Sequence, residues 1–259
     1  MRRFAFMIVI ALMVIALVVI GCGPKKPVKQ PDKPGVIAEV MPSGPNADKQ
    51  AVTLGLNAAR GNDYVKAERY FQHAVATNPY NPDGAFNLGV AQLKLGKGRD
   101  ASTNFSKALS IRADYPKARE YLGMALLLSG EHNRALSEFK LALGSDPTNL
   151  ELKNGMAVAY IRMKRYNQAE NLLREILREN ANFVQAHINM ALLFLNRDKP
   201  GMALQILRNA QKIDSTNSAV EANIGYIYQE TNKLTKAKNH FEKAVSLDPN
   251  NADALGNLG

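Results

Sequence analysis

From residue 48 onward the sequence repeats every 34 residues, six times over, without an insertion or a deletion. Counting Asp48 as position 1, position 20 is always alanine: Ala67, Ala101, Ala135, Ala169, Ala203 and Ala237. Position 8 is always small, at Gly55, Gly89, Gly123, Ala157, Ala191 and Gly225. Position 24 is always large, at Phe71, Phe105, Phe139, Leu173, Leu207 and Phe241. A unit of this length is one supersecondary element and cannot bury its own apolar face. It becomes stable by stacking against copies of itself.

The spacing inside the unit specifies two helices. Positions 4, 7, 8 and 11 fall on one face of a first helix, and positions 20, 24 and 27 on one face of a second. A small residue at 8 opposite Ala at 20 lets two helix backbones approach, and the side chain at 24 fills the space beside them. Breakers such as Gly61-Asn62, Gly96-Lys97-Gly98 and Gly130 separate the two helices. Asn81, Asn149, Asn217 and Asn251 stand at position 34, where asparagine caps the following helix. Pro82 and Pro116 follow at position 1, in a first turn that misses no backbone donor.

With those residues in those places, the pattern resembles the tetratricopeptide repeat (TPR) family over about four fifths of the chain. The resemblance implies an all-α fold, a right-handed α-solenoid of about six helix-turn-helix repeats. Their bounds are 48–81, 82–115, 116–149, 150–183, 184–217 and 218–251. Residues 252–259 restart the pattern and read as the opening of a seventh, truncated repeat. Some positions depart from the family. Position 4, aromatic in most members, is Ala51, Ala85, Arg119, Lys153, His187 and Glu221, and position 32 keeps its proline only at Pro79, Pro147 and Pro249. These departures bear on local packing and leave the register intact.

In the family, the first helix of each repeat lines an inner groove through positions 2, 5, 9, 12 and 13. The apolar groove expected here comprises Val52, Leu56, Phe86, Val90, Leu93, Met124 and Leu127, then Val158, Ile161, Ile188, Leu192, Leu195 and Tyr226. Arg60, Lys94 and Arg162 at position 13 would rim it. About half of the groove positions are expected to pack against the neighbouring helix. The family's carboxylate clamp needs Lys at 5 and Asn at 9, and neither occurs. An apolar strand or an amphipathic helix of a partner protein suits such a groove.

The N-terminus addresses the compartment. Arg2 and Arg3 precede an unbroken apolar run, 4–20, which has the layout of a secretory signal. The run ends at Val19-Ile20-Gly21-Cys22, which resembles the bacterial lipobox and places the chain's one cysteine at the lipidation site. This reading makes 1–21 a signal peptide and 22–47 a lipid-anchored tether rich in Pro and Lys. An uncleaved transmembrane anchor is the alternative, since about 20 apolar residues span a bilayer. Gly23, where the enteric sorting rule would need Asp for inner-membrane retention, points to an outer-membrane lipoprotein facing the periplasm.

The formal charge of +10 admits nucleic acid as a partner, but export removes that reading, and the repeats themselves hold +6 once the signal and tether are set aside. Lys25, Lys26 and Lys29 lie next to the anchor, where each basic residue near anionic headgroups contributes about 1 kcal/mol. Catalysis finds little support. His73, His132, His187 and His240 fall at different repeat positions, and no nucleophile set or phosphate loop is visible. No cofactor and no small-molecule substrate is expected. A lipobox, a short tether and about six repeats resemble the type IV pilus pilotin lipoproteins, which bind secretin subunits and promote their assembly. The same architecture serves adaptors for peptidoglycan or outer-membrane assembly, and the abrupt end also fits a fragment of a longer TPR protein.

Overall fold

A computed structural model describes residues 10–12, 15–17 and 41–258. Cys22, most of the apolar run and the tether as far as residue 40 lie outside the described residues, as does Gly259. The described part is all-α apart from two three-residue strands. It divides into two compact units, the first ending at Ser129 and the second continuing from Gly130. No helix among the described residues is long and apolar enough to cross a membrane.

The first unit contains α1 (Ala47–Arg60), α2 (Tyr64–Thr77), α3 (Pro82–Lys94), α4 (Gly98–Ile111) and α5 (Pro116–Leu128). The second contains α6 (His132–Ser145), α7 (Leu150–Arg162), α8 (Tyr166–Glu179), α9 (Val184–Asn196), α10 (Pro200–Ile213), α11 (Ser218–Glu230), α12 (Leu234–Leu247) and α13 (Ala252–Leu258). The strands β1 (Ile10–Leu12) and β2 (Ile15–Leu17) pair antiparallel, with Ala11 opposite Ala16, and belong with the second unit. In both units each helix packs on the next, and alternate helices touch: α1 on α3 and α3 on α5, then α7 on α9 and α9 on α11. The strand β1 lies against α9.

The turns follow from backbone chemistry. Asn81 accepts from the amides of Asp83 and Gly84, Asn149 from Leu152, Asn217 from Val220 and Asn251 from Ala254. These are the expected caps, each satisfying a donor that a helix start leaves unpaired. Pro82 and Pro116 occupy the first turns of α3 and α5. Position 15 adopts the left-handed conformation in every repeat, whatever its side chain: Asn62, Gly96, Gly130, Lys164, Asp198 and Asn232 have φ between 58° and 84°.

The core is built on positions 8, 20, 24 and 27. Ala67, Ala101, Ala169 and Ala203 are fully buried, and so are Phe105, Leu173 and Leu207. The side chain at 24 does more than fill space beside the small residue at 8; it lies directly over it. A Cβ added to Gly89 would stand 2.8 Å from Cε1 of Phe105, and one added to Gly225 would stand 2.8 Å from the Phe241 ring. At Gly55 the gap to the Phe71 ring is 2.5 Å.

Position 4 shows what replaces the family's aromatic residue. Lys153 on α7 is buried and pairs with Glu175 at 2.9 Å and Glu179 at 2.6 Å, both on α8. Glu221 on α11 is only 1% exposed and pairs with Lys243 at 2.5 Å and with His240 Nδ1 at 2.8 Å, both on α12. Glu175 and Lys243 both stand at position 26, so repeats 4 and 6 use one geometry with the charges exchanged. Gln211 of α10 also donates to Glu221.

Candidate partner-binding site

In the first unit the expected groove residues do not form an open apolar strip. Leu93, Met124 and Leu127 are buried. Val52 packs onto the core around Phe71 and Leu88. Phe86 belongs to an aromatic cluster, with ring centroids 5.7 Å from Phe105, 5.0 Å from Tyr115 and 5.4 Å from Tyr121. Phe86 thus packs on the position-24 side chain of its own repeat, Phe105. Side chains at 5 point between consecutive first helices as much as into a groove, and a large ring there finds the neighbouring aromatic core. Val90 is half-buried, and Leu56, 39% exposed, is the most accessible of the set.

The rim residues of this unit are anchored locally. Arg60 is exposed and donates to Asn57 Oδ1. Lys94 Nζ lies over the Tyr64 ring, 5.7 Å from its centroid, and burial pulls its pKa below the usual lysine value.

In the second unit, Val158, Ile161, Ile188 and Leu192 are buried, so they too depart from an exposed strip. Leu195, Tyr226 and the rim residue Arg162 are half-buried. Burial, aided by the nearby Glu230 carboxylate, pushes the Tyr226 phenol up to about 12. Most residues of α7 and of α9 are buried.

This unit also holds a feature that apolar patterning missed. Asn154 and Asn189, both with no exposed surface, meet across α7 and α9, where Asn189 Nδ2 donates to Asn154 Oδ1 at 2.8 Å. That single bond leaves Asn154 Nδ2 and Asn189 Oδ1 buried without partners. Gln185 Nε2 on α9 and Gln229 Oε1 on α11 are orphaned in the same way. Asn154, Gln185 and Gln229 stand at positions 5, 2 and 12, all inner-face positions in the family.

Among the described residues no three or more His, Cys, Asp or Glu come together as a metal site. His132 is half-buried, and burial together with the Arg162 charge lowers its pKa, favouring the neutral ring. His187 is bonded through Nε2 to the carbonyl of Ala181, and it borders an open cleft of about 560 Å³ lined by Met190, Phe194, Met202 and Ile206.

Stacked helical hairpins with interchangeable polar and apolar inner positions define a repeat scaffold for protein interaction. Models described as tetratricopeptide repeat match residues 52–101, 86–149, 126–193 and 222–251. The chain belongs to the tetratricopeptide repeat family. Solved structures agree on the fold. A tetratricopeptide repeat protein from Parabacteroides merdae superposes with a TM-score of 0.75 at 16% identity, over 83% of this chain and 84% of that one. PilW, described as a widely conserved type IV pilus biogenesis factor, gives 0.60 at 18% identity, over 83% of this chain and all of its own. PilF of Pseudomonas aeruginosa gives 0.54 at 16% identity, over 81% and 95%. Among curated proteins, none matches the chain significantly in sequence.

Proposed function

We propose that the protein is an outer-membrane lipoprotein, held by lipid on Cys22 and facing the periplasm, whose repeats bind secretin subunits and promote secretin assembly for type IV pili. The observation that carries this reading is the pairing of Val19-Ile20-Gly21-Cys22 with a repeat array that follows the whole length of PilW. A lipid anchor followed by a proline-rich tether would hold the array near a membrane while leaving its faces free for an envelope protein.

Two variants test the reading. Cys22→Ser should leave an unprocessed precursor that no longer takes up labelled fatty acid; unchanged size and membrane retention would favour a transmembrane anchor. Leu56→Ala combined with Leu195→Ala removes one exposed and one half-buried groove side chain. In a pilus-bearing host it should reduce secretin recovered in a pull-down at least about tenfold, the effect of losing ~1.4 kcal/mol. Helicity should be unchanged. Equal secretin recovery by wild type and variant would overturn the assignment of the groove, and recovery of no secretin by either would overturn the pilus reading.

A further inference from the structure

We infer that one edge of the second unit, formed by the turns after α7, α9 and α11, docks on an anionic lipid surface. The inference rests on the anchored placement proposed above for bringing lipid within reach; the chemistry of the edge is independent of it.

Turns of a few residues make consecutive helices antiparallel, so α7, α9 and α11 all end on one edge and start on the other. A contact between turns shows the same. Arg197, just past α9, donates to Glu170 Oε2 at 2.6 Å and to Asn167 Oδ1, both near the start of α8. The two edges differ in charge. Positions 13–19 of repeats 4, 5 and 6 hold seven basic residues and two acidic ones. The opposite turns, 145–151, 179–185, 213–219 and 247–253, hold six acidic residues and none that is basic. The helices between them have 13 or 14 residues, so about 20 Å separates the two sets of charge.

Helix ends do not require this segregation. Each edge carries the C-termini of one set of helices and the N-termini of the other, so the macrodipoles oppose each other there. The acidic edge is explained by its own turns, where Asp146 and Asp214 accept from Asn149 and Asn217, and Asp248 from the Asn250 amide. The basic edge has no such explanation. Arg165, Lys199 and Lys233 occupy the N-caps of α8, α10 and α12, and their side chains cap nothing. The same position in repeat 1 is Asp63, which accepts from the Lys66 amide. A basic residue there forgoes the cap and sets a cation at the positive end of a helix. Arg165, Lys199 and Lys233, together with Lys164, are exposed and form no ion pair among the described residues. A local rule broken three times along one edge points outward, to something the edge binds.

The layout fits a lipid surface. Packed helices lie 8–10 Å apart, so cations on successive turns are spread in a row of about that spacing and do not gather round one anion. Repeated phosphate headgroups match such a row. Leu234, 62% exposed, and Met202, 46% exposed, stand on the same edge and supply apolar side chains that can enter the headgroup boundary. Each basic residue close to an anionic leaflet strengthens attachment about fivefold, and a tether holds the edge at high effective concentration. A membrane seated here covers neither the inner face of the first helices nor the outer face of the second, and both stay open to a protein partner.

The test uses the full chain, extracted from host membranes and returned either to phosphatidylcholine vesicles or to vesicles with about one third phosphatidylglycerol. Flotation with the neutral vesicles reports the lipid anchor; a chain that does not float with them overturns the anchored placement and leaves the edge to be read on the anionic vesicles alone. Hydrogen exchange reads the edge. In wild type, amides within 162–168, 196–202 and 230–236 should exchange at least about fivefold more slowly on anionic than on neutral vesicles. The opposite turns should exchange alike on both, and salt at about 1 M, which shortens the screening length to ~3 Å, should abolish the difference. Arg165→Asp combined with Lys199→Asp and Lys233→Asp installs the cap that Asp63 gives α2, so the array stays folded, and the protection should be lost. Equal exchange by wild type on the two kinds of vesicle, or protection that survives in the triple variant, would overturn the inference. Protection in host membranes that is missing on vesicles would assign the edge to an acidic protein, and would overturn it as well.

Discussion

Gly89 and Phe105 offer the sharpest test of the packing. A methyl group at Gly89 would lie 2.8–2.9 Å from three carbons of the Phe105 ring, well inside ordinary contact distance. The ring has nowhere to go, being fully buried with Phe86 and Tyr121 each 5.7 Å away. Overpacking of this kind costs about 1–3 kcal/mol. Replacing a helical glycine with alanine returns about 1 kcal/mol of propensity, so Gly89→Ala should be destabilised by a net of up to ~2 kcal/mol. Phe105→Leu should lose a similar ~1–2 kcal/mol, less than the 3–5 typical of truncation to alanine. The double variant reproduces the native pairs Ala157 with Leu173 and Ala191 with Leu207, all four buried to within 1%. It should therefore be more stable than the sum of the singles by about 1–2 kcal/mol, within the range seen for touching residues. Urea titration followed by circular dichroism gives the midpoints, with the slope checked for constancy because repeat arrays do not always unfold in two states. Additivity within about 0.5 kcal/mol would refute the claim that the ring over position 8 decides which residue fits there.

Lys164 holds a left-handed φ of 59° at the position where Gly96 and Gly130 stand in other repeats. Since a side chain in that conformation costs about 1–2 kcal/mol, partly offset by the greater freedom glycine has when unfolded, Lys164→Gly should gain about 0.5–1 kcal/mol; a lower melting temperature would contradict this. Glu221 supplies an acid-side test. Burial alone would raise its pKa, but Lys243, Gln211 and His240 together hold it below the usual glutamate value. A depressed carboxylate stabilises the fold above its unfolded pKa of ~4.5 and loses that contribution as pH falls through the folded value. The stability difference between wild type and Glu221→Gln should thus shrink as pH falls below about 4; a difference that grows in that range would refute the assignment.

Six copies of one pattern made the fold legible. Positions 20, 24 and 27 are buried because stacking imposes the same environment on each, and a requirement stated six times is hard to misread. The asparagine caps were legible for a local reason, since each bonds amides two or three residues ahead. The pairing of Gly with Phe and of Ala with Leu at positions 8 and 24 is less legible, because it depends on how close the ring at 24 comes to position 8, as at Gly89 and Phe105. The charged residues at position 4 were equally opaque. Lys153 finds Glu175 and Glu179, and Glu221 finds Lys243, on a helix some twenty residues further on, at positions with no fixed chemistry. Only the packed hairpin brings them together. The groove was half legible: an inner-face position says which way a helix is turned, and the neighbours decide whether its side chain reaches the surface. Phe86 is drawn into an aromatic cluster while Leu56, one repeat earlier at position 9, stays exposed.

Repeats 4 and 5 fit the repeat pattern least well, and the structure gives those departures a common setting. Here the Gly–Phe pair gives way to Ala–Leu, position 4 becomes Lys153 and His187, and the amide pair appears between α7 and α9. The first two changes are compensated: smaller side chains at 24 admit the alanines, Lys153 gains two carboxylates, and His187 gains the Ala181 carbonyl. The amide pair is not compensated within the chain, because two of its polar atoms have no partner. Leucine at both positions would avoid the 1–3 kcal/mol that each such atom costs when buried. Local rules broken without repayment inside the fold are expected where a protein binds something else. Asn154 and Asn189 are therefore the first residues to probe if the repeats act on a partner, ahead of the larger apolar side chains around them, whose burial the core already explains.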